Sequence, residues 1–247
     1  MPTPTLKQLA ASLGLWAALA PGVGAQGVCS SDGQPQPLRL LERFLSADCE
    51  RCWGTATALV PSAAGTTLAL DWIVPGHRGD DAPLSAAASR DALARLQALH
   101  RAAPREQLPV STAVAGRDGA TVRVAHGVAL GGYIGASIEA RIASTGPPAA
   151  APLTAVLLLV ETIAAGSDGT PIERNLVRNM LQVAWNGASS LSNKEQPGLL
   201  ERRPLSIPEG TNPQRLRVVG WLQDGRGRVL AAAQSACLPD AAGSAPP

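Results

Sequence analysis

The stretch Leu38 to Pro61, LRLLERFLSADCERCWGTATALVP, constrains this chain most, because it carries Cys49-Glu50-Arg51-Cys52. Two cysteines at this spacing bring both sulfurs within disulfide reach when the second lies in the first turn of a helix. Backbone N–H groups at a helix start favour a thiolate, the reactive form of the side chain. A strand, a sharp turn and Cys-x-x-Cys opening a helix is an arrangement suited to thiol–disulfide exchange. Half of a zinc site needs two further ligands, and no second Cys-x-x-Cys follows. Haem attachment needs His after the second Cys, where this chain has Trp53. The motif alone leaves two readings open, a redox pair and a plain structural disulfide.

The N-terminus sets the compartment in which that pair is read. Lys7 is followed by the apolar run Leu9–Ala20, then Pro21-Gly22 and the small residues of Val23-Gly24-Ala25. This order predicts a secretory signal peptide over residues 1–25. The run is shorter than the roughly 20 residues of a spanning helix, so a periplasmic or secreted protein free of the membrane after cleavage is expected. Four cysteines in an oxidising compartment suggest two disulfides. Cys49 and Cys52 are close enough to favour each other, which leaves Cys29 with Cys237. Closing that long loop contributes on the order of 5 kcal/mol in a chain-entropy treatment.

With 247 residues the chain has room for one large domain or two small ones. Aromatic residues make up only 3%, so Leu, Val, Ile and Ala must fill the core. The 21 basic and 19 acidic residues are scattered, with no basic stripe among aromatics, so nucleic acid is not an expected partner. Leu38–Leu45 fits a helical face better than a strand by spacing alone, and Trp53–Leu59 reads as helix. Thr66–Val74 is predicted as a buried strand, Ala86–Ala103 as a helix capped by Ser85, and Val110–Ala115 as a strand. Thr121–Ala125, Ile138–Ile142 and Leu153–Ile163 also read as strands. Tyr133–Ala143 suits either a strand or a closing helix, and Asn175–Trp185 suits a helix or helical turn. Leu216–Leu222 and Val229–Ser235 flank a turn signal and predict a hairpin. Gly146–Pro152 reads as a loop and residues 239–247 as a disordered tail.

A strand, Cys-x-x-Cys on a helix, a strand, a helix and Pro before a strand is similar to a thioredoxin-like domain. More narrowly, ERFLSADCERC (Glu42–Cys52), LDWIVPGHRGDDAP (Leu70–Pro83) and LPVSTAVAGRDG (Leu108–Gly119) resemble segments of an exported bacterial family. IERNLVRNMLQVAWNG (Ile172–Gly187) and VVGWLQDGRGRVLAAAQ (Val218–Gln234) extend the likeness. The family is the domain-of-unknown-function family numbered 1223. The resemblance implies an α/β (α+β) fold, with a thioredoxin-like domain over residues 26–120 and a β-rich part over 121–238. It makes Leu38–Leu45 the first strand and Pro109 the proline, often cis, that faces the cysteine pair. The chain departs from the family pattern at Asp48 before the first Cys and Trp53 after the second.

In a catalytic pair Cys49 is the nucleophile and Cys52 resolves the mixed disulfide, acting on an unidentified protein thiol or disulfide. Asp48 and Glu50 oppose a thiolate, whereas Arg51 and the helix start favour one. His77 with Asp71, Asp80 and Asp81 matches no common metal signature, and His100 and His126 stand alone, so no metal is expected. Trp53 and Trp72 are candidates for an apolar wall beside the sulfurs or for ordinary core. The glycines Gly131, Gly132 and Gly135 lack dinucleotide-loop spacing, and no phosphate loop or nucleophile elbow occurs. No cofactor is expected. Thiol–disulfide exchange is the leading expectation, and a bracing disulfide in a binding or structural protein is the alternative.

Overall fold

Leu153–Ile163 has no polar face, and the fold explains why. Its Leu157 and Leu159 share an apolar cluster with Val124 and Ile138, while Val156 and Leu158 share another with Phe44 and Trp72. A strand covered on both sides reads as a continuous apolar run. The computed structural model describes residues 29–55, 66–116, 119–142, 152–186 and 198–237. In chain order these form β1 (Cys29–Ser30), β2 (Arg39–Ser46), α1 (Glu50–Gly54), β3 (Thr67–Val74), α2 (Arg90–Ala98) and β4 (Gln107–Ala113). There follow β5 (Thr121–Leu130), β6 (Tyr133–Arg141), β7 (Leu153–Ile163), β8 (Arg174–Trp185), β9 (Gly198–Ser206), β10 (Leu216–Asp224) and β11 (Val229–Gln234).

Two sheets result, one of four strands in the order β1-β5-β6-β9 and one of seven in the order β11-β10-β7-β8-β3-β2-β4. The first cluster fills the space between the sheets, and the second lies on the opposite face with Ala92 and Leu96 of α2. The sheets approach so closely that a Cβ on Gly220 of β10 would lie 2.6 Å from Val124 Cγ1. Laid flat, β2 and β10 would stand four strand spacings apart, about 19 Å. Arg95 of α2 nevertheless reaches both. Its Nε and Nη2 donate to Glu42 of β2 at 2.8 and 2.7 Å, and Nη1 donates to Gln223 of β10 at 3.2 Å. The large sheet therefore curls, and its edges meet where Ala115 N donates to Val229 O at 2.8 Å.

This architecture corrects the expected α/β thioredoxin-like fold. Such a domain needs helices on both faces of its sheet. Here the described residues hold two α-helices, of five and nine residues, and the second face is covered by β-structure. Strands from both halves of the chain share the seven-stranded sheet, so its first strands do not close a sheet by themselves.

Several local readings change with it. Asn175–Trp185, expected to be a helix or helical turn, lies in strand β8, paired antiparallel along the full length of β7. Eleven residues of β7 need backbone partners, and that demand overrides a weak helical pattern. Tyr133–Arg141 is strand rather than helix, with Ile134, Ala136, Ile138 and Ala140 buried at every second position. Gly131 and Gly132, both at positive φ, make the tight turn before it. The second helix is shorter than expected and is capped by Ser89, whose Oγ accepts from Ala92 N at 3.2 Å. Ser85 instead starts a 3-10 turn and donates to Asp80 O. The expected signal peptide and C-terminal tail, and nearly all of the 146–152 loop, lie outside the described residues. Among the described residues, no helix is long and apolar enough to cross a membrane.

Arg95 is 2% exposed and Glu42 fully buried. Arg95→Met, which strands the Glu42 carboxylate, is expected to cost about 3–5 kcal/mol by denaturant unfolding. Adding Glu42→Leu is expected to restore most of that loss, since no uncompensated buried charge then remains.

Candidate functional site

The turn that carries the cysteines grows from the end of β2. Ala47 N donates to Val74 O at 2.8 Å, and Cys49 N donates to Ser46 O at 3.0 Å. The Asp48 carboxylate accepts from His77 N at 2.7 Å and Arg78 N at 3.2 Å. Cys49 is the N-cap residue of α1 but makes no side-chain capping bond. Cys49 and Cys52 are joined as a disulfide, Cα atoms 5.3 Å apart, and are only 7% and 6% exposed. They pack with Leu45, Ile73, Ile163 and Leu176. A five-residue helix offers little aligned dipole, and an attacking thiolate needs access to a sulfur.

The helix is held from its far end by Arg174. Nη2 of Arg174 donates to the carbonyls of Cys52, Trp53 and Thr55 at 3.1, 2.9 and 3.2 Å. Nη1 donates to Asp71 Oδ1 at 3.0 Å, and Nε to Thr170 Oγ1 at 3.1 Å. The guanidinium also lies 5.1 Å over the Trp53 ring, whose Nε1 donates to Asp168 O at 2.7 Å. Burial lowers the Arg174 pKa from its ordinary value, and the Asp71 charge opposes that shift. Asp71 Oδ2 accepts from Arg43 at 2.6 Å and from Asn175 N at 3.0 Å. Neither Arg174 nor the role of Asp71 is legible in the sequence, because the partners lie 103 positions apart. The signal that existed was a lone carboxylate inside the apolar LDWIV run.

Trp53 borders two clefts. One, of about 420 Å³, combines Trp53, Leu84, Ile163 and Leu176 with the paired charges of Glu161 and Arg178. The other, of about 570 Å³, is lined by Glu50, Arg51, Trp53, Thr55 and Asp168 among others. Neither cysteine lines either cleft. Trp72 is not beside the sulfurs; it stacks on Phe44 at 5.8 Å in the other cluster. Pro109 sits in β4 opposite Arg43, and no peptide bond among the described residues is cis, so it is not a cis-proline. Asp71 is fully buried between arginines, while His77 is exposed, so these two do not form a shared metal site.

The second disulfide joins Cys29 to Cys237. Cys29 lies directly across from His126 of β5. Burial pushes the His126 pKa below its ordinary value, with an opposing effect from the contact to Gly127 O. In the sequence His126 stands alone, because Cys29 and Cys237 are remote from it in the chain.

No family model matches the chain, and a search of curated proteins finds no match. Among solved structures, HBP35 of Porphyromonas gingivalis is similar at 11% identity, covering 82% of this chain and 76% of that one, with a TM-score of 0.47. That distant likeness carries no argument about activity.

Arg174→Met is expected to cost about 3–5 kcal/mol, because Asp71 loses a partner in a buried network. Hydrogen exchange is expected to quicken in residues 50–54 before it does in β7. Unchanged protection of that segment would show that Arg174 does not hold the helix.

Proposed function

We propose that this chain is an exported, non-enzymatic binding protein in which the Cys49–Cys52 bond braces one wall of a ligand cleft. The burial of both cysteines carries the reading. A disulfide that works by exchange must offer one sulfur to a partner, whereas this one packs against Leu45, Ile73 and Leu176. Arg174 ties the same helix to the sheet, so the Trp53 side chain that borders the cleft stands on a fixed support. Trp53, Leu84, Ile163 and Leu176 offer an apolar surface, and the Glu161–Arg178 pair adds a polar edge. This mixture suits a small ligand with an apolar body and a polar end. Two disulfides favour an oxidising compartment, and the segments resembling the exported 1223 family support the same location.

The reduction potential of the Cys49–Cys52 pair tests the reading. A brace is expected to lie below about −300 mV and to leave a scrambled test protein unchanged. Cys49→Ser with Cys52→Ser is expected to lower stability by about 2 kcal/mol, the chain-entropy value for so short a loop. A potential above that limit together with catalysed exchange would replace the brace with thiol–disulfide chemistry.

A further inference from the structure

One group of sulfur and nitrogen atoms has no part in the cleft. A ring nitrogen of His126 and the sulfurs of Cys29 and Cys237 lie within 4.8 Å of one another. His126 Nδ1 is 2.9 Å from Gly127 O. A carbonyl only accepts, so Nδ1 carries the ring proton and Nε2 keeps its lone pair. Nε2 is buried and has no hydrogen-bond partner, and the residue is only 5% exposed. Leaving a buried acceptor unsatisfied is costly, so its persistence asks for a reason. Histidines that ligate metals have this arrangement, one nitrogen donating to a carbonyl and the other left for the ion.

We propose that Cys29, Cys237 and His126 Nε2 form a redox-gated zinc site, available when the cysteines are a dithiol and closed when they are a disulfide. Sulfur and imidazole together select zinc over magnesium or calcium, which prefer oxygen. Three protein ligands leave a fourth position for water or a small ligand. The gating step balances with a partner dithiol as reductant. That dithiol gives two electrons and two protons, becoming a disulfide while Cys29 and Cys237 become thiols. Zinc then displaces both thiol protons to water, and the neutral His126 loses none. In a tetrahedral site with Zn–S bonds of about 2.3 Å the sulfurs must stand about 3.8 Å apart. Cys237 is exposed and can supply that movement. The neighbouring backbone stays registered through Ser30 N to Ala236 O at 3.1 Å and Ala236 N to Ser30 O at 2.9 Å. His126 also borders a cavity of about 420 Å³ shared with Ser137 and Arg202, which gives the ion an approach.

The test uses the chain reduced by a dithiol, freed of it anaerobically and titrated with zinc chloride against a chromophoric chelator. One zinc per reduced chain and none per oxidised chain is the expected result. Peptide mapping after iodoacetamide is expected to show zinc slowing alkylation of Cys29 and Cys237 at least tenfold, with Cys49 and Cys52 unaffected. His126→Phe is expected to weaken zinc binding by about 100-fold or more. Protection of Cys49 and Cys52 instead, unaltered affinity in His126→Phe, or no zinc uptake would overturn the proposal. Should reduction unfold the chain, zinc that restores its near-ultraviolet dichroism supports the site, and zinc that leaves it unfolded overturns it.

Discussion

The carboxylate of Asp71 is where the two parts of the large sheet are joined. β3 and β8 share a single registered pair, Asp71 with Leu176, too little backbone bonding to hold them alone. The side chain makes up the deficit by accepting from Arg43, Arg174 and the backbone of Asn175. Asn175 returns a bond across the same gap, from Nδ2 to Ala69 O at 2.9 Å. Charge-assisted bonds of this kind are stronger than neutral ones, and burial makes each more costly to lose. Because Arg174 also grips the carbonyls at the end of α1, the sheet junction and the cysteine helix belong to one network.

That network changes the meaning of the Cys49-x-x-Cys52 motif. Spacing brings two sulfurs together, but reactivity depends on access, local charge and freedom to move. All three are restricted here: the cysteines are buried, the helix is five residues long, and its end is clamped. The other disulfide has the opposite character. One of its cysteines is exposed, and the other faces a buried histidine whose Nε2 is unpartnered.

Legibility followed the range of the interactions. Leu153–Ile163 was readable because its uninterrupted apolar stretch Ala155–Val160, in a segment that follows Pro152, fits a strand covered on both sides. The β10–β11 hairpin was readable from the turn residues around Asp224, whose Oδ1 accepts from the backbone N–H groups of Arg226 and Arg228. β8 was not readable, since its apolar residues also fit a helical face and only the unpaired edge of β7 decides between them. The thioredoxin-like expectation failed for a related reason. It rested on the order of elements in the first half, while the sheet was covered by β5, β6 and β9, which come later in the chain, together with the two-residue β1.

By itself the sequence determined the positions of the strongest strands, the tight turns and the nearness of Cys49 to Cys52, all set by neighbours along the chain. Tertiary structure alone decided that Arg95 would bind β2 and β10 together, that Arg174 would lock the cysteine helix, and that His126 would meet Cys29 and Cys237. Each of these joins residues far apart in the chain, whose partners exist only after the sheet has curled and buried them.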